Sequence, residues 1–568
     1  MTSDVSRVTD FPNLNDISAT NREAFSEQAV SGIDEVTRIV PSPSLAHSIP
    51  CRLPPELLSA IFLEYVQQDE GFAPFATALV PPWVNVSYVC RYWRSVALNC
   101  ANLWAHLFFA SSEWMDELLR RSKTAPLIIR ISLYYLGSNS VWQIRSLEKA
   151  LGHMERVREL WIDGNHSQDV LDMIHARLTA AAPLLRTLRL FTHEDSEDHT
   201  RIRRDTLPGA GLRTLHLKLC HVDWSSPIFN GLTELSLSCV LNDAMESWDG
   251  LLLLLSQSPL LRRLFLKNTL PLANITSEDF LINTQNRTKI SLCRLEKLTL
   301  TDPIPLVTGL LAQFEFPSST IVRVQCNCNN PEDTSMFLSF MASKFSSHLS
   351  LPQSASSPQS ILRSLRFHRN DLWETTWTIM CGTSNPANTN TNNITLEGLD
   401  SRFPLQIVLT QMDQEVFLGR IIPFLRALPL THLNAITLHN DVESTFDQNL
   451  WMEVFWDAQE LRIIEVGYRC ANMLIHALQP RDGVIFAPTL TDIGFKEIEF
   501  NRGKCRGEES HEYETGCFQC LRNALASRME AGSVLQRLLL NNCSGILEQD
   551  ITELSKIVRR VEWDTTEG

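Results

Sequence analysis

The sequence predicts an α/β fold in which a short module of three helices precedes a long, irregular solenoid of strand–helix units. The first observation is the length: a chain of 568 residues is longer than one ordinary hydrophobic core can organise. The second is a pair of early segments whose apolar residues recur at helical spacing. The third is a six-residue pattern, L-x-x-L-x-L, that returns at intervals of 20 to 34 residues. Such recurrence is typical of stacked repeats.

Composition limits the partners and the compartment. The formal charge of −15 and the pI of about 5.5 argue against a general binder of nucleic acid or of anionic membranes. The first residues carry no apolar signal core, and the leucine run Leu251–Leu255 is far too short to cross a bilayer. We therefore expect a cytoplasmic or nuclear protein whose 14 cysteines are reduced thiols.

Two amphipathic helices are predicted near the N-terminus. The segment LPPELLSAIFLEYV opens with two prolines, which suit the first turn of a helix. Its Leu57, Leu58, Ile61 and Phe62 recur at spacings that place them on one helical face. A second segment, VNVSYVCRYWRSVAL, repeats this pattern. Amphipathicity alone leaves open whether these faces pack on the first repeat or on a partner.

The order of these residues resembles the F-box, whose pattern is an L-P-x-E-hydrophobic helix, a V-C-x-x-W helix and a closing Leu-Trp. The chain is similar in particular to F-box-like proteins expanded in mushroom-forming fungi, which share the long connector after the first helix and a WxxxLLxRSxxAPLxIxI segment, here starting at Trp114. The resemblance implies a Skp-type adaptor as partner and, through it, a cullin ubiquitin ligase. The positions that it implies for adaptor binding are Leu53, Pro54, Glu56, Leu57, Leu58, Ile61, Phe62, Val89, Cys90, Trp93 and Trp104.

The L-x-x-L-x-L pattern predicts leucine-rich repeats, in which the leucines of each strand enter the core. The intervening positions would face the open surface of the array, where aromatic and arginine side chains suit protein recognition. We expect Trp161, Arg189, His216 and Phe265 to contact a target protein. The copies are Val157–Ile162, Leu185–Leu190, Leu212–Leu217, Leu232–Leu237, Leu261–Leu266 and Leu295–Leu300, with weaker ones at Leu362–Phe367, Leu433–Leu438, Leu461–Val466 and Leu490–Phe495 and a clear late one at Leu535–Leu540.

Composition and motif positions divide the chain into regions. The opening stretch, rich in Ser, Thr, Asp and Asn, cannot bury enough apolar surface to become ordered. Two low-complexity insertions, near residues 346–360 and 382–393, have the same character. The predicted organisation is a disordered tail at 1–47, the F-box at 48–110, linker helices and the N-terminal cap of the array at 111–156, leucine-rich repeats at 157–545, and a C-terminal helix and tail at 546–568.

The chemistry-bearing residues predict neither a metal site nor a catalytic site. Cys505, His511, Cys517 and Cys520 are residue types that bind zinc, but their C-x5-H-x5-C-x2-C spacing does not match the known fingers, and Cys517 opens a predicted repeat helix. The acidic stretch His193–His199 suits a solvated loop. No G-x-S-x-G and no complete phosphate-loop pattern occurs. We expect no metal, no cofactor and no enzymatic activity.

Two interpretations follow. The first is a substrate-recognition subunit of an SCF-type E3 ubiquitin ligase, whose F-box binds the adaptor while the repeats bind a target protein. The second is a leucine-rich-repeat scaffold for protein interactions whose degenerate F-box recruits no ligase. Neither names the target, because a fold and an exposed face do not specify a ligand.

Overall fold

The computed structural model describes residues between 53 and 564, with internal gaps. Among the described residues, no helix is long and apolar enough to span a membrane. The tail predicted at 1–47 lies outside them, as do most of the two low-complexity insertions. The described ranges are 53–68, 81–109, 112–133, 141–164, 168–192, 201–240, 244–269, 289–328, 331–346, 349, 361–370, 376–383, 403–410, 414–439, 448–467, 471–480, 483–501 and 516–564.

The chain divides into two compact units, Met1–Leu261 and Arg262–Gly568. The first, unit 1, contains a helical module and a parallel sheet, and the second, unit 2, contains a larger sheet. Helices and mostly parallel strands occur in both units, so the predicted α/β class is confirmed. A leucine-rich-repeat solenoid remains a prediction.

Three α-helices and a 3₁₀ helix build the module at the start of unit 1. Prolines occupy the first positions of two of these segments, because a residue without a backbone N–H suits the first turn of a helix. The segments are α1 (Pro55–Gln68), the 3₁₀ helix (Pro82–Tyr88), α2 (Arg91–Asn99) and α3 (Ala101–Trp104).

The module has its own apolar core. Leu58 and Phe62 enter it from α1 and are fully buried. Trp104 closes it from α3: the indole Nε1 donates a hydrogen bond to the carbonyl oxygen of Ala97 at 2.8 Å, and the ring meets that of Trp83 edge-on with centroids 5.2 Å apart. A buried tryptophan with a satisfied N–H contributes a large apolar surface without an unpaired donor. This core holds α1, α2 and α3 together.

A parallel sheet follows the module in unit 1. Its strands are β1 (His106–Leu107), β2 (Leu127–Ser132), β3 (Val157–Asp163), β4 (Thr187–Phe191), β6 (Thr214–Lys218) and β8 (Glu234–Ser238), while β5 (Arg201–Ile202) pairs separately with β7 (His221–Val222). The helices are α4 (Ser112–Ser122), α5 (Val141–Leu151), α6 (Gln168–Leu178) and α7 (Ala244–Ser256). The described strands pair in the order β1–β2–β3–β4–β6–β8, all parallel.

Helix α4 connects the module to the sheet. It packs against α3 on one side and α5 on the other. The guanidinium of Arg121 on α4 lies over the Trp104 ring, 4.6 Å from its centroid. Strand β1, which follows α3 directly, adds to the sheet by pairing His106 with Ile128 of β2. Residues 111–156 are the segment predicted to link the helical module to the repeat array and to cap the array. This segment therefore contacts both the module and the sheet.

Unit 2 contains a sheet of eleven described strands. These are β9 (Arg263–Lys267), β11 (Lys297–Thr301), β13 (Ile321–Asn327), β14 (Ser364–Asn370), β15 (Thr376–Gly382), β16 (Leu405–Thr410), β17 (Ala435–His439), β18 (Ile463–Gly467), β19 (Asp492–Lys496), β22 (Arg537–Asn541) and β23 (Arg560–Trp563). They pair in the order β9–β11–β13–β16–β15–β14–β17–β18–β19–β22–β23. Only β15 is antiparallel to its neighbours.

Further elements of unit 2 lie between these strands. Two small strand pairs are β10 (Ile290–Ser291) with β12 (Phe314–Glu315), and β20 (Phe500–Asn501) with β21 (Gly516–Cys517). The helices are α8 (Ile304–Gln313), α9 (Pro331–Ser346), α10 (Gln414–Arg426), α11 (Gln448–Val454), α12 (Ala471–Ala477), α13 (Phe518–Glu530) and α14 (Glu548–Leu554).

Every copy of the L-x-x-L-x-L pattern overlaps a strand. Of the eleven described strands in the sheet of unit 2, four carry no such copy and were not predicted: β13, β15, β16 and β23. The segment predicted as a C-terminal helix and tail also contains more structure, because β23 follows α14 and pairs with β22. The sheet therefore continues past residue 545, the predicted end of the repeats.

Candidate protein-interaction surfaces

Helix α1 exposes an apolar stripe. Leu57, Ile61 and Tyr65 are 53 %, 47 % and 41 % exposed, and their spacing of four residues aligns them along one side of the helix. Leu58 and Phe62, predicted to share this face, are instead buried in the core of the module. The spacing predicted one apolar face on this helix. The structure shows two adjacent apolar faces, one packed inside the module and the other accessible.

A second exposed apolar segment adjoins α1. Tyr88 ends the 3₁₀ helix and Val89 follows it, and both are about half exposed. The Sγ atom of Cys90 then caps α2 by accepting a hydrogen bond from the backbone N–H of Trp93 at 3.4 Å. Helix α1 packs against both α2 and the 3₁₀ helix. The two exposed segments therefore lie on neighbouring elements of the same module.

The remaining predicted adaptor positions divide between surface and interior. Pro54 and Glu56 are exposed. Leu53 is half-buried, and its carbonyl oxygen accepts a hydrogen bond from the Tyr92 hydroxyl at 2.7 Å. Trp93 is half-buried against Phe62, with ring centroids 5.2 Å apart.

Three predicted contact residues, Leu58, Phe62 and Trp104, are core residues of the module in this structure. They have almost no accessible surface, because their side chains fill the space between its helices. Tyr88 was not predicted, although its place directly before Val89 in the VSYVC string could have identified it.

Residues 50–110 match the family model described as F-box-like. The chain carries an F-box-like domain. The match covers the module up to β1 and ends before α4, so the F-box resemblance is confirmed for this domain, while the resemblance to one fungal family remains a prediction. A comparison with curated proteins found no match.

The sheet of unit 1 has a polar and aromatic outer face. Its strands alternate between buried leucines and half-buried side chains. Register places Trp161, Arg189 and His216 side by side on β3, β4 and β6. The structure therefore brings three of the four predicted target-binding residues into one row.

Specific contacts order this row. The guanidinium of Arg189 lies 4.7 Å from the centroid of the Trp161 ring, a cation–π arrangement. Phe191 meets the same ring edge-on at 6.1 Å. His216 Nε2 lies 2.9 Å from a carboxylate oxygen of Glu234. These contacts hold the aromatic and cationic groups of this row in defined positions.

The fourth predicted residue, Phe265, lies in unit 2. It is half-buried on β9 and pairs in register with Thr299 of β11. Arg263 and Lys267, two residues before and after it, are exposed.

One titratable group lies near the edge of the first sheet. Burial, reinforced by the charges of Arg130 and Arg158, lowers the pKa of His106 from 6.5 to about 4, although Glu159 opposes this shift. Glu159 in turn pairs with Arg130, with 2.7 Å between Oε1 and Nε. His106 is therefore neutral at physiological pH and contributes no charge to the surface.

The cysteines differ from the prediction in one respect. Cys517 and Cys520 are disulfide-bonded, so these two are not reduced thiols. Cys517 also caps α13, since its Sγ accepts a hydrogen bond from the backbone N–H of Cys520 at 3.2 Å. Elsewhere burial raises the pKa of Cys220 and Cys381 to about 12, which keeps both thiols protonated in the core.

The groups considered for zinc lie only partly within the described residues. Cys505 and His511 fall outside them. Within the described part of the chain, no cluster of three or more His, Cys, Asp or Glu side chains has the arrangement of a metal site.

Proposed function

We propose that the chain is the substrate-recognition subunit of an SCF-type E3 ubiquitin ligase. The F-box-like domain would bind a Skp-type adaptor and, through it, a cullin, while the outer face of the unit 1 sheet would bind a target protein. The observation that carries the proposal is the exposed apolar surface on a domain that matches the F-box-like family. The chain would act by proximity, holding the target near the charged enzyme, without chemistry of its own.

The exposed stripe supports docking by a helix-packing partner. Large apolar side chains are individually common on protein surfaces, but several on neighbouring elements of one small domain indicate an interaction site. Fully burying such a side chain contributes roughly 1.5–3 kcal/mol. Leu57, Ile61 and Val89 are each about half exposed, so burying the remaining surface of each would favour binding by roughly half of that amount. Leu58, Phe62 and Trp104 would support it indirectly, because they fix the helices that present the stripe.

The target surface is proposed on the row formed by Trp161, Arg189 and His216. Arginine and tryptophan are enriched at the energetic centres of protein interfaces. The recurrent strands and their outward positions support assigning both sheets to the leucine-rich-repeat type. A cytoplasmic or nuclear location would bring such a receptor together with its ligase.

Adaptor binding is tested by changing the exposed stripe alone. A full-length chain with Leu57→Asp and Ile61→Asp should bind a purified Skp-type adaptor at least about tenfold more weakly, because each charge enters a surface that must become dry. Leu184→Asp is the matched control, since Leu184 is an exposed leucine of unit 1 outside the F-box-like domain. Calorimetric titration of the three proteins measures the difference.

A further variant separates docking from folding. Leu58→Asp places a charge in the core, so it should unfold the module, which circular dichroism would register, whereas the Leu57 and Ile61 changes should leave helicity intact. Unchanged adaptor binding by the double variant would reject the proposed surface. If the unaltered chain captures neither adaptor nor cullin by affinity purification, the alternative of an interaction scaffold without ligase recruitment takes its place.

A further inference from the structure

Arg189 lies in the middle of the accessible face of the unit 1 sheet. Its nearest neighbours on this face are Trp161 of β3 and His216 of β6 in register, and Thr187 and Phe191 at the alternate positions of β4. None of these side chains is a carboxylate. The guanidinium stacks on the Trp161 ring, 4.7 Å from its centroid, and within the described part of the chain it makes no hydrogen bond or ion pair.

The carboxylates on the same face are engaged by side chains other than Arg189. The pairs are Glu159 with Arg130 at 2.7 Å, Glu234 with His216 at 2.9 Å, and Asp163 with Lys218. In the last pair burial raises the pKa of Asp163, and the charge of Lys218 opposes that rise. Arg189 is therefore a cation in the middle of this face that has no carboxylate partner among the described residues.

The stacking fixes which part of the guanidinium a ligand can reach. The Nε atom of Arg189 is buried and finds no hydrogen-bond partner among the described residues, whereas the two Nη groups are not buried in this way. A guanidinium stacked on an aromatic ring keeps its N–H groups in its own plane, where they can bind a planar acceptor with two parallel hydrogen bonds. The Nη end of Arg189 is therefore positioned to bind an anionic group.

The surrounding charges favour an anion with a single charge. Glu159 and Asp163 lie on the neighbouring strand, two residues before and after Trp161. Sheet geometry, with strands about 4.8 Å apart and alternate residues about 7 Å apart, places both roughly 8 Å from Arg189. Charges at that distance are only partly screened by physiological salt. They would oppose a phosphate with two negative charges more strongly than a carboxylate with one.

The position of Arg189 within the sheet favours a side chain over a chain terminus. Proteins that capture a terminal carboxylate use backbone N–H groups, but the backbone of β4 pairs with β3 on one side and with β6 on the other. Side chains alone therefore form the site. Phe191 meets Trp161 edge-on beside Arg189, which adds apolar surface next to the cation.

We infer that Arg189 binds the side-chain carboxylate of an Asp or Glu in the target protein, with Trp161 and Phe191 contacting apolar groups beside it. The inference rests on the proposed target surface and deepens it by naming the group that this surface recognises. It involves no residue of the F-box-like domain, so it can fail while adaptor docking succeeds, and the reverse holds as well.

The test begins with a phage-displayed library of random peptides, selected on the immobilised full-length chain. An enriched peptide is then labelled with fluorescein and its affinity is measured by fluorescence anisotropy. The protein variants are Arg189→Gln and, as a matched control, Arg145→Gln, which removes an exposed cation from α5 and alters the net charge equally. The peptide variants replace its Asp or Glu with the corresponding amide or with phosphoserine, or amidate its C-terminus.

The enriched peptides should share an Asp or Glu, and changing that residue to its amide should weaken binding to the unaltered chain roughly tenfold. Arg189→Gln should weaken binding of the acidic peptide by a similar factor and should no longer distinguish acid from amide, whereas Arg145→Gln should behave like the unaltered chain. Because the peptide variants leave the protein unaltered, a folding defect in Arg189→Gln cannot imitate this result.

Three outcomes would overturn the inference. The first is a selection that enriches no acidic position or no peptide at all. The second is an acid-to-amide loss that persists in Arg189→Gln. The third is stronger binding of the phosphoserine peptide, or a loss of binding on C-terminal amidation, since either would assign the site to a different anion.

Discussion

The outer faces of the two sheets differ in how deeply they are buried. In unit 1, β3, β4, β6 and β8 alternate between buried positions and half-buried ones, so one face forms the core and the other is accessible. In unit 2, β15 and β16 are buried at nearly every described position. Arg366 of β14 is buried as well, with its guanidinium 4.9 Å from the ring centroid of Phe403. The outer face is therefore covered in the middle of unit 2.

This difference separates surface that a partner could reach from surface that stabilises the fold. A half-buried row such as Trp161, Arg189 and His216 can exchange water for a partner, whereas a covered row has already made its contacts within the chain. The antiparallel strand β15, inserted between β14 and β16, lies at the centre of the covered region. The middle of unit 2 therefore supports the fold, whereas the strands with an accessible outer face are those that a partner could reach.

The largest expected effect on the free energy of unfolding comes from placing the same lysine on the covered face of unit 2 and on the accessible face of unit 1. Thr378 of β15 is 7 % exposed, whereas Thr214 of β6 is half-buried. Thr378→Lys should lower the free energy of unfolding by about 3–5 kcal/mol, because an unpaired ammonium enters a dry site. Thr214→Lys should change it by less than about 1 kcal/mol, because the new cation lies in register with Glu234. Urea unfolding measures both.

An equal loss in the two variants would show that the faces do not differ in accessibility. The threonine pair controls for the size and polarity of the side chain removed. Thr378→Val tests the site further: its hydroxyl finds no hydrogen-bond partner among the described residues, so replacing it with a methyl group should be neutral or stabilising.

The same difference explains why β15 and β16 were not predicted from the sequence, whereas β13 was missed for another reason: it alternates, but its buried positions are Val322, Val324 and Cys326 rather than leucines. A strand with one accessible face alternates between apolar and polar residues, and the L-x-x-L-x-L pattern detects that alternation. In β15 (TWTIMCG) and β16 (LQIVLT) the outward-facing positions are buried as well. Their sequences therefore show little of the apolar–polar alternation that distinguishes a strand from a buried helix. The missing information is tertiary: the guanidinium of Arg366 on the adjacent strand β14, for example, lies over the ring of Phe403, which is distant in sequence, and no local pattern predicts such a contact.

The proposed adaptor surface shows the same limit at the scale of one helix. Spacing placed Leu57 and Leu58 on one face, since consecutive residues differ by only about 100° around a helix. Which of the two is buried depends on where α2 and the 3₁₀ helix pack, and thus on contacts distant in sequence. The motif located the F-box-like domain correctly, but its packing decides which residues a partner can reach.

A smaller expected effect is a difference between the two units in how their stability depends on pH. His106 in unit 1 has a pKa lowered to about 4 in the folded state, so between pH 6.5 and 4 the unfolded chain binds a proton that the folded chain does not. Stability is therefore lost as pH falls through this window, by on the order of 1–3 kcal/mol. His106→Gln should remove that part of the acid dependence, as measured by unfolding at stepwise pH.

In unit 2, Lys344 should give the stability a pH dependence in the alkaline range. Burial lowers the pKa of Lys344 from 10.5 to about 8, so the unfolded chain binds the extra proton between pH 8 and 10.5, and stability from this group rises with pH there. His106→Gln should leave this alkaline dependence unchanged. A variant with the same acid dependence as the unaltered chain would show that His106 titrates normally, and a direct NMR titration of its ring would show the same.

The smallest expected effect is the difference in coupling energy between a cation–π pair on the accessible face of unit 1 and one on the covered face of unit 2. Arg189 with Trp161 and Arg366 with Phe403 are both cation–π pairs, at 4.7 and 4.9 Å, but only the second is buried. Double-mutant cycles combining Arg→Met with Trp161→Leu or Phe403→Leu isolate each pair from the other contacts of its members. The coupling energy should be about 0.5–1 kcal/mol in unit 1 and about 2 kcal/mol in unit 2, because water competes for an accessible guanidinium and weakens its attraction to the ring. Equal couplings would mean that solvent reaches both pairs alike, and the covered face of unit 2 would then be open in solution.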